Sequence, residues 1–444
     1  MSKELTLSRL AIGTTVLLAV FVSLHFACLH YYPKPELDPW GLSDFYPLSV
    51  FKSRLPALWV FAPLVMAAGL AWYAYKVLSE HQRGLFWLLG MAFALVLLSN
   101  LFHGFQFGLD YPTAGWGEGG SEYWQDAQAS QGPLWFLRHF HDLQPYLLVH
   151  AKTHPAGPVL LYWLLGAMLV KPWAVSCGIA LLALGLGLWS LDRLLTRVFG
   201  ARQPELLLLW ALLPGIQIYG LAVMDAVLAG VMCAALVEFL DDDRPGSAWR
   251  CAVWLFLASA LSFGALFLGP VLLGLLLLRK RGWGRAGLIV GLVLAAWGLV
   301  YAATGYDQWR AFRTASALEN EGGFLLKANP RGYLWYRLGA VAEIAFFFTP
   351  FLLILLPRGL TALRGRSPEA WQLFWLGLGS LAAMLLSGAM KIGEAARLCL
   401  FLLPYLLLPV AAAWQALSGQ WRQRLLALVL AQSLLMQLFG FYQW

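Results

Sequence analysis

The stretch HPAGPVLLYWLLGAMLVKP, residues 154–172, decides how the chain is threaded through a membrane. Its apolar part, residues 157–170, is bracketed by His154-Pro155 and Lys171-Pro172 and is only about 14 residues long, whereas a spanning helix needs about 20. A run this short is typical of an interfacial or re-entrant helix. We therefore expect it to lie on the outer face of the membrane, because a crossing here would move every later loop to the opposite side.

Around this stretch the chain has the composition of an integral membrane protein. Of its 444 residues, 60% are hydrophobic and 12% charged, and the mean hydropathy is +0.67. Apolar runs of about 15 to 22 residues recur from end to end, without the alternation of an outer-membrane barrel. The sequence predicts an all-α polytopic membrane protein with about 13 transmembrane helices. The predicted spans cover residues 10–29, 56–75, 85–102, 174–191, 204–221, 225–240, 250–264, 265–278, 286–303, 338–356, 370–387, 397–415 and 424–441.

Composition also argues against other classes of protein. The five cysteines all lie within apolar runs, which makes a disulfide framework improbable. The net charge of +8 is scattered between apolar runs, as expected for contacts with lipid headgroups and unlike a nucleic-acid-binding stripe. We interpret the first apolar run, which follows Lys3 and Arg9, as a membrane anchor and not as a removed signal peptide.

The charges of the short loops predict the topology. Basic residues mark cytoplasmic loops, and these loops all fall on one side if residues 157–170 do not cross. The N-terminus is then inside and the C-terminus outside, with three large outer segments at 30–55, 103–173 and 304–337. The basic loops carry Lys76, Arg83, Arg193, Arg197, Arg202, Arg244, Arg250, Arg279, Lys280, Arg281, Arg358, Arg364, Arg366, Arg422 and Arg424.

The first candidate site is the acidic segment that holds Glu122 and Asp126 in the largest outer segment. On a helix these two carboxylates are four residues apart and share a face. Near an apolar boundary they would raise each other's pKa, so that one could act as a general base for an acceptor hydroxyl. The alternative is a solvated loop with acids at the start of a helix.

The second candidate is the turn that contains His150, Lys152 and His154. Histidines four apart can hold a metal, but Pro155 disfavours helical geometry at His154, so zinc is a weak interpretation. A proline-fixed turn that presents His and Lys to an anionic headgroup fits better. The alternative is a structural turn before the short interfacial helix.

Two further candidates lie at the outer ends of predicted spans. Asp225 is either the N-cap of the helix that follows or a polar site residue. Arg397 has a planar donor fork that suits a lipid phosphate. Glu394 is placed to form an intrahelical pair with it, and snorkelling is the alternative explanation for Arg397. The topology places all four candidates on one face, which favours a single shared site at a lipid–water boundary.

In these patches the chain resembles the GT-C superfamily of multi-span glycosyltransferases, which take a sugar from a polyprenyl-phosphate carrier. The layout is similar to the branch of protein O-mannosyltransferases and the aminoarabinose transferases of lipid A. The resemblance covers roughly residues 84–415. It is carried by Glu122-Tyr123-Trp124-Gln125-Asp126, by Thr153-His154-Pro155-Ala156-Gly157 and by Gly393-Glu394-Ala395-Ala396-Arg397.

The resemblance implies roles for these residues. The acidic segment would supply the catalytic carboxylate, and the base stays open between Glu122 and Asp126 because Ser121-Glu122 replaces the usual acidic pair. Asp225 would support that carboxylate or a metal. The lipid phosphate would be held by Arg397 with His154 or Lys152, and His150 and Glu394 complete the expected binding set. A divalent cation, Mg or Mn, is possible, with Glu122, Asp126 and Asp225 as its candidate ligands.

We therefore expect an inverting glycosyltransferase of the cell (inner) membrane that moves a sugar from a polyprenyl-phosphate carrier to an acceptor hydroxyl on the extracytoplasmic face. Its partners would be the lipid-linked sugar, membrane lipids and an acceptor that is a glycan, lipid or protein, but not nucleic acid. The alternatives are a lipid-linked saccharide transporter or flippase and a non-catalytic assembly subunit. We expect one membrane domain, 1–444: an N-terminal extra hairpin (1–83), a GT-C-like core (84–303) and C-terminal helices (304–444).

Overall fold

The computed structural model describes residues 7–31, 43–46, 48, 50–81, 83–115, 122–280, 282–319, 323–388 and 394–442, and for Glu122 it describes the backbone alone. Nearly all of this part of the chain is helical. The strands found in it are β1 (Lys52–Ser53) and β2 (Gly440–Phe441), which form an antiparallel pair. An all-α architecture follows from the composition, because in lipid a helix satisfies its own backbone donors and acceptors.

The helices follow one another with short connections. Single turns of 3₁₀ helix occur at Leu58–Val60, Leu101–His103, Gln144–Tyr146, Phe263–Phe267 and Cys399–Leu402, and Gln106–Asp110 is a π-helical turn. The α-helices are α1 (Leu7–Tyr31), α2 (Phe61–Glu80), α3 (Leu85–Asn100), α4 (Tyr111–Ala114), α5 (Glu122–Ala129), α6 (Pro133–Leu143), α7 (Val149–Lys152), α8 (Gly157–Leu169), α9 (Pro172–Phe199), α10 (Pro204–Leu212), α11 (Pro214–Tyr219), α12 (Met224–Leu240), α13 (Ser247–Leu261), α14 (Leu268–Arg279), α15 (Trp283–Thr304), α16 (Gln308–Glu319), α17 (Leu325–Ala328), α18 (Pro330–Phe348), α19 (Pro350–Leu353), α20 (Leu356–Arg366), α21 (Pro368–Ser387), α22 (Ala395–Leu398), α23 (Leu403–Trp414) and α24 (Gly419–Phe439).

The predicted class, an all-α polytopic membrane protein, is confirmed. Among the described helical segments, seven are long and apolar enough to cross a membrane: Leu7–Tyr31, Leu58–Glu80, Leu85–His103, Pro172–Phe199, Trp283–Thr304, Pro368–Ser387 and Ala395–Trp414. The remaining predicted spans coincide with helices that are shorter, broken or more polar than a typical membrane-spanning helix.

Helix α12 is the centre of the bundle. Apart from Asp225 and Ala229, its side chains are buried, as expected for a helix that is apolar on all sides. It packs closely along α9, where a Cβ added at Gly230 would lie 2.8 Å from Leu186 Cβ. About two turns further along both helices, Arg193 of α9 pairs with Glu238 of α12. The two helices therefore run parallel and enter the bundle from the same end.

An ion-pair network closes the far end of α12. Glu238 and Asp241 are 1% and 4% exposed, and the Arg193 guanidinium contacts both, with Nη2 2.6 Å from Asp241 Oδ2. Arg250 Nε donates to Glu238 Oε2 at 2.9 Å. Buried carboxylates need such partners to offset their lost hydration. We call this end of the bundle the network end, and the end where α12 begins at Asp225 the site end.

The short helix α8 stays at the site end. At its start, the backbone N–H of Ala156 donates to the Tyr306 hydroxyl at 3.3 Å, and Tyr162 donates to the carbonyl of Ala222, three residues before Asp225, at 2.7 Å. At its finish, Leu169 packs against Gly178 in the first turns of α9. Because α9 and α12 enter from the same end, both ends of α8 lie at that end. This geometry agrees with the expectation that residues 157–170 do not cross.

Two helices are interrupted inside the bundle, and α24 supplies the missing hydrogen bonds. Between α10 and α11, Ser433 Oγ donates to the Leu212 carbonyl at 2.6 Å. Between α18 and α19, Gln432 Nε2 donates to the Phe346 carbonyl at 2.8 Å and its Oε1 accepts from Thr349 Oγ1 at 2.6 Å. These polar side chains make the broken helices tolerable where no water is available.

The N-terminal segment is tied to the C-terminal end of α24. Strand β1 pairs with β2, and Arg54 Nη2 donates to the Phe102 carbonyl at 2.6 Å. Arg54 Nη1 lies 2.6 Å from His103 Nδ1, and His103 Nε2 lies 2.8 Å from Gln437 Oε1. Since arginine only donates, Nδ1 accepts and the neutral ring donates from Nε2. The division of the chain at residues 83 and 303 stays a prediction.

Gly157→Ala tests the close packing of α8 on α13. A Cβ at Gly157 would lie 2.1 Å from the Ala260 carbonyl oxygen, so we expect a loss of about 1–3 kcal/mol, measured as a lower midpoint of thermal unfolding in detergent. The control is Gly284→Ala in α15, where no atom lies within 4 Å. There we expect no loss, because alanine favours the helix. Equal midpoints for the two variants would contradict the contact.

Cysteine labelling tests which end faces outward. Tyr146 is 86% exposed at the site end, and the Arg244 side chain is 63% exposed at the network end. In intact cells we expect a membrane-impermeant maleimide to label Tyr146→Cys and not Arg244→Cys, with the parent chain giving the background. Labelling of Arg244→Cys instead would reverse the predicted topology.

Candidate functional site

A cleft opens at the site end, between helices α5, α7 and α8 and the starts of α12 and α22. It has an empty volume of about 380 Å³, part of it continuous with solvent. Six of its lining residues carry polar or ionisable groups. The lining consists of Tyr123, His150, His154, Tyr162, Ala222, Val223, Met224, Asp225 and Arg397.

Arg397 supplies the positive charge of the cleft. Its Nε lies 3.2 Å from Asp225 Oδ2 and its Nη2 lies 3.0 Å from Glu394 Oε1. The side chains of Arg397 and Asp225 are 12% and 11% exposed, and that of Glu394 is 31% exposed. The Nε donor is buried and has no hydrogen-bond partner, since its contact with Asp225 lacks hydrogen-bond geometry. A buried donor without an acceptor is costly, and a ligand oxygen would remove that cost.

Asp225 lies in the first turn of α12, and Val223 is the N-cap. The N-cap interpretation of Asp225 is therefore wrong, because the helix begins one residue before it. The partial positive charge of the helix N-terminus still favours the carboxylate there. Asp225 is the acid whose side chain both lines the cleft and faces Arg397.

The histidine turn lies against the same cleft. Helix α7 ends at Lys152, so His150 and His154 do not share a regular helical face, as Pro155 leads us to expect. His154 Nδ1 lies 2.8 Å from the His150 carbonyl oxygen, and a carbonyl can only accept. The Nδ1 atom therefore carries a proton, and in the neutral ring the Nε2 atom carries the lone pair.

Tyr123 forms the wall between the histidines and Asp225. It is 8% exposed, and its ring meets the His154 ring edge-on with the centroids 5.7 Å apart. Burial, and then the Asp225 carboxylate, raise the pKa of the Tyr123 phenol well above its ordinary value. The hydroxyl is therefore a neutral hydrogen-bond donor at any physiological pH. In the sequence Tyr123 belongs to the acidic segment, and nothing there singles it out from its aromatic neighbours.

The predicted catalytic acids are placed differently from Asp225. Asp126 does not line the cleft, and its Oδ2 accepts from the Leu148 backbone N–H at 3.2 Å, which fixes the start of α7. Glu122 begins α5, and its side chain lies outside the described residues. Lys152 is absent from the lining as well, and its carbonyl accepts from Gln144 Nε2 at 3.1 Å.

A strained residue borders the cleft. Ala222 has a φ of +60°, in the left-handed region that costs a residue with a Cβ about 1–2 kcal/mol. Tyr162, which also lines the cleft, donates to its carbonyl. Such strain is found where the surrounding structure fixes an unfavourable backbone for a site.

The described side chains do not fit a divalent cation. In the described part of the chain, no group of three or more His, Cys, Asp or Glu residues is placed to hold a metal. Asp225, the one candidate ligand whose described side chain lines the cleft, is paired with the Arg397 guanidinium.

Comparison of the sequence with protein-family models and with curated proteins finds no match. Among solved structures, the chain is similar to the crystal structure of ArnT from Cupriavidus metallidurans in the apo state. The identity is 17% and the TM-score 0.46, and the match covers 76% of this chain and 60% of that chain. The chain thus spans less than two thirds of the length of that protein.

A double-mutant cycle tests the coupling of Arg397 and Asp225. Because both side chains are mostly buried, we expect Arg397→Ala to cost about 3–5 kcal/mol of unfolding free energy, since it leaves the Asp225 carboxylate without its cation. Asp225→Ala should cost less, because Glu394 still pairs with Arg397. The double variant should lose far less than the sum. Denaturant unfolding in detergent measures all three variants, and strictly additive losses would show that the two groups do not interact.

Proposed function

We propose that the chain is an inverting glycosyltransferase that moves a sugar from a polyprenyl-phosphate carrier to an acceptor hydroxyl on the extracytoplasmic face. One observation carries the proposal. A buried arginine with an unsatisfied donor lies in a cleft with two histidines, a tyrosine and a carboxylate, at one end of an apolar helix bundle. This combination fits a substrate with a phosphate group and a hydrocarbon tail.

The phosphate would bind at Arg397. A guanidinium offers a planar set of N–H donors that matches phosphate oxygens, and burial strengthens each contact. The leaving phosphate gains charge as the sugar is transferred, so Arg397 would stabilise the transition state more than the ground state. The Tyr123 hydroxyl, held neutral, supplies a further donor for the phosphate or the sugar.

A narrow apolar crevice lies next to the cleft, between α9, α12 and the start of α23. Its free interior is about 10 Å³, about the space of one water, so a prenyl chain would enter only where these helices move apart. Its lining includes Ala226, which follows Asp225, and Leu400, one turn after Arg397. A prenyl chain that enters there would keep its phosphate at the cleft.

The base that deprotonates the acceptor hydroxyl would be Glu122, Asp126 or Asp225. Asp225 is favoured by its position in the cleft lining, and Asp126 is disfavoured by its hydrogen bond to Leu148. In the neutral ring that carries its proton on Nδ1, the Nε2 atom accepts and does not donate. In that form His154 would serve the acceptor hydroxyl and not the phosphate.

A flippase for a lipid-linked saccharide is the second candidate, and two observations favour it. Helices α10–α11 and α18–α19 are interrupted, and Glu343 lies within α18 with 2% of its surface exposed. Broken helices and buried acids are features of transporters. Counterflow of a lipid-linked sugar in proteoliposomes, without sugar release, would support this alternative over transfer.

Amide substitutions separate the three candidate bases. With polyprenyl-phosphate sugars as donors, we expect Asp225→Asn or Glu122→Gln to lower sugar transfer by about 10²–10⁴-fold, the usual contribution of a general base. Asp126→Asn should cost less than either, and the exposed Asp142→Asn is the control. Wild-type transfer rates in the variants of all three acids would remove the carboxylate mechanism.

A further inference from the structure

The charges around Arg397 do not leave room for an anion. Asp225 and Glu394 both contact its guanidinium, at 3.2 and 3.0 Å, so one cation faces two carboxylates. The phosphate group of a polyprenyl phosphate ester that joined this group would lie close to both negative charges, beside the mostly buried side chains of Arg397 and Asp225. Like charges there repel strongly. One carboxylate must therefore leave Arg397 before a phosphate can bind.

The two carboxylates differ in how firmly they are held. Asp225 is 11% exposed and lies in the first turn of α12, the helix that is buried along nearly its whole length. Glu394 is 31% exposed, has a longer side chain and precedes the four-residue helix α22. Rotation of the Glu394 side chain needs no movement of a buried helix. Glu394 is thus the group that can yield.

The two contacts also involve different nitrogen atoms. Asp225 faces Nε and Glu394 faces Nη2. Loss of the Glu394 contact leaves Asp225 beside Arg397, so the guanidinium keeps its position while Nη2 becomes available. A phosphate oxygen at that position would replace one charged acceptor by another.

We propose that Glu394 is a displaceable latch, a positioning residue that occupies Nη2 of Arg397 until the phosphate group of a polyprenyl phosphate ester takes its place. This inference rests on the proposed phosphate site and adds the residue that competes for it. The latch keeps the buried guanidinium paired in the absence of substrate. It also makes binding selective, since only a ligand that carries its own negative charge can displace the carboxylate without leaving Arg397 unpaired.

The test is a binding measurement on the full-length chain in nanodiscs. Binding of a short-chain polyprenyl phosphate, inorganic phosphate and an unphosphorylated polyprenol is measured for the wild type, Glu394→Gln and Arg397→Gln. With the competing charge removed, we expect Glu394→Gln to bind both phosphates on the order of tenfold more tightly. Arg397→Gln should bind both phosphates more weakly, and polyprenol binding should not change.

Two controls accompany the measurement. Asp142→Asn removes an exposed acid of the same layer and should bind like the wild type, which tests a general charge effect. Glu394→Ala removes the carboxylate without adding an amide and serves as the second variant if Glu394→Gln fails to fold. If Glu394 only supported the local structure, its replacement would weaken phosphate binding. The latch requires that its replacement makes phosphate binding tighter.

The outcomes separate the latch from the proposed function. If Arg397→Gln loses phosphate binding while both Glu394 variants bind like the wild type or more weakly, the latch is wrong and the phosphate site stands. If Arg397→Gln binds phosphate as tightly as the wild type, both are wrong. Tighter binding of polyprenol by Glu394→Gln would also overturn the latch, because that ligand has no charge to compete with a carboxylate.

Discussion

Helices α9 and α12 run parallel and side by side, so both begin at the site end of the bundle. The short helix α8 begins and ends at that same end. The segment before α9 and the start of α12 therefore lie in one layer. The cleft exists because of this constraint: it brings residues 123, 150 and 154 next to Asp225. A crossing at α8 would have placed the histidine turn and the start of α9 at opposite ends.

Polar side chains inside the bundle serve two different purposes. Gln432 and Ser433 satisfy backbone groups that broken helices leave open, and their hydrogen bonds are complete within the protein. Arg397 differs from them, since its Nε is buried without a hydrogen-bond partner. Complete networks fix a structure, whereas an incomplete one in a cleft indicates a place for a ligand. The Nε atoms of Arg285 and Arg422 are also buried without a hydrogen-bond partner, so the candidate site is distinguished by the cleft that Arg397 lines together with its unsatisfied donor.

The sequence was sufficient for the class of fold and for part of the site. Apolar run lengths predict the helices, and the loop charges together with the shortness of residues 157–170 place His154, Asp225 and Arg397 at one end. Sequence does not show which way a side chain turns on its helix. Asp126 therefore could not be told apart from a cleft residue, although it is held by the Leu148 N–H.

The sequence also does not predict ion pairs between helices that are far apart along the chain. Arg193 and Arg250 were predicted as loop cations, but nothing local indicates that Glu238 would bind both. The interruption before Thr349 is equally hidden, because the Pro350 that follows would suit a helix start as well as a break. Such features depend on partners far away along the chain, and their presence follows from packing and not from local propensity.

The anchoring of α12 at its far end has a consequence for the level at which the cleft lies in the bundle. Glu238 and Asp241 hold that helix to its two neighbours α9 and α13 through Arg193 and Arg250. These ion pairs oppose sliding of α12 along its axis, so Asp225 keeps a constant position along the bundle. Any ligand that reaches Asp225 must bring its own polar group to that level, and the length of that group's linkage then becomes a criterion for which ligands fit.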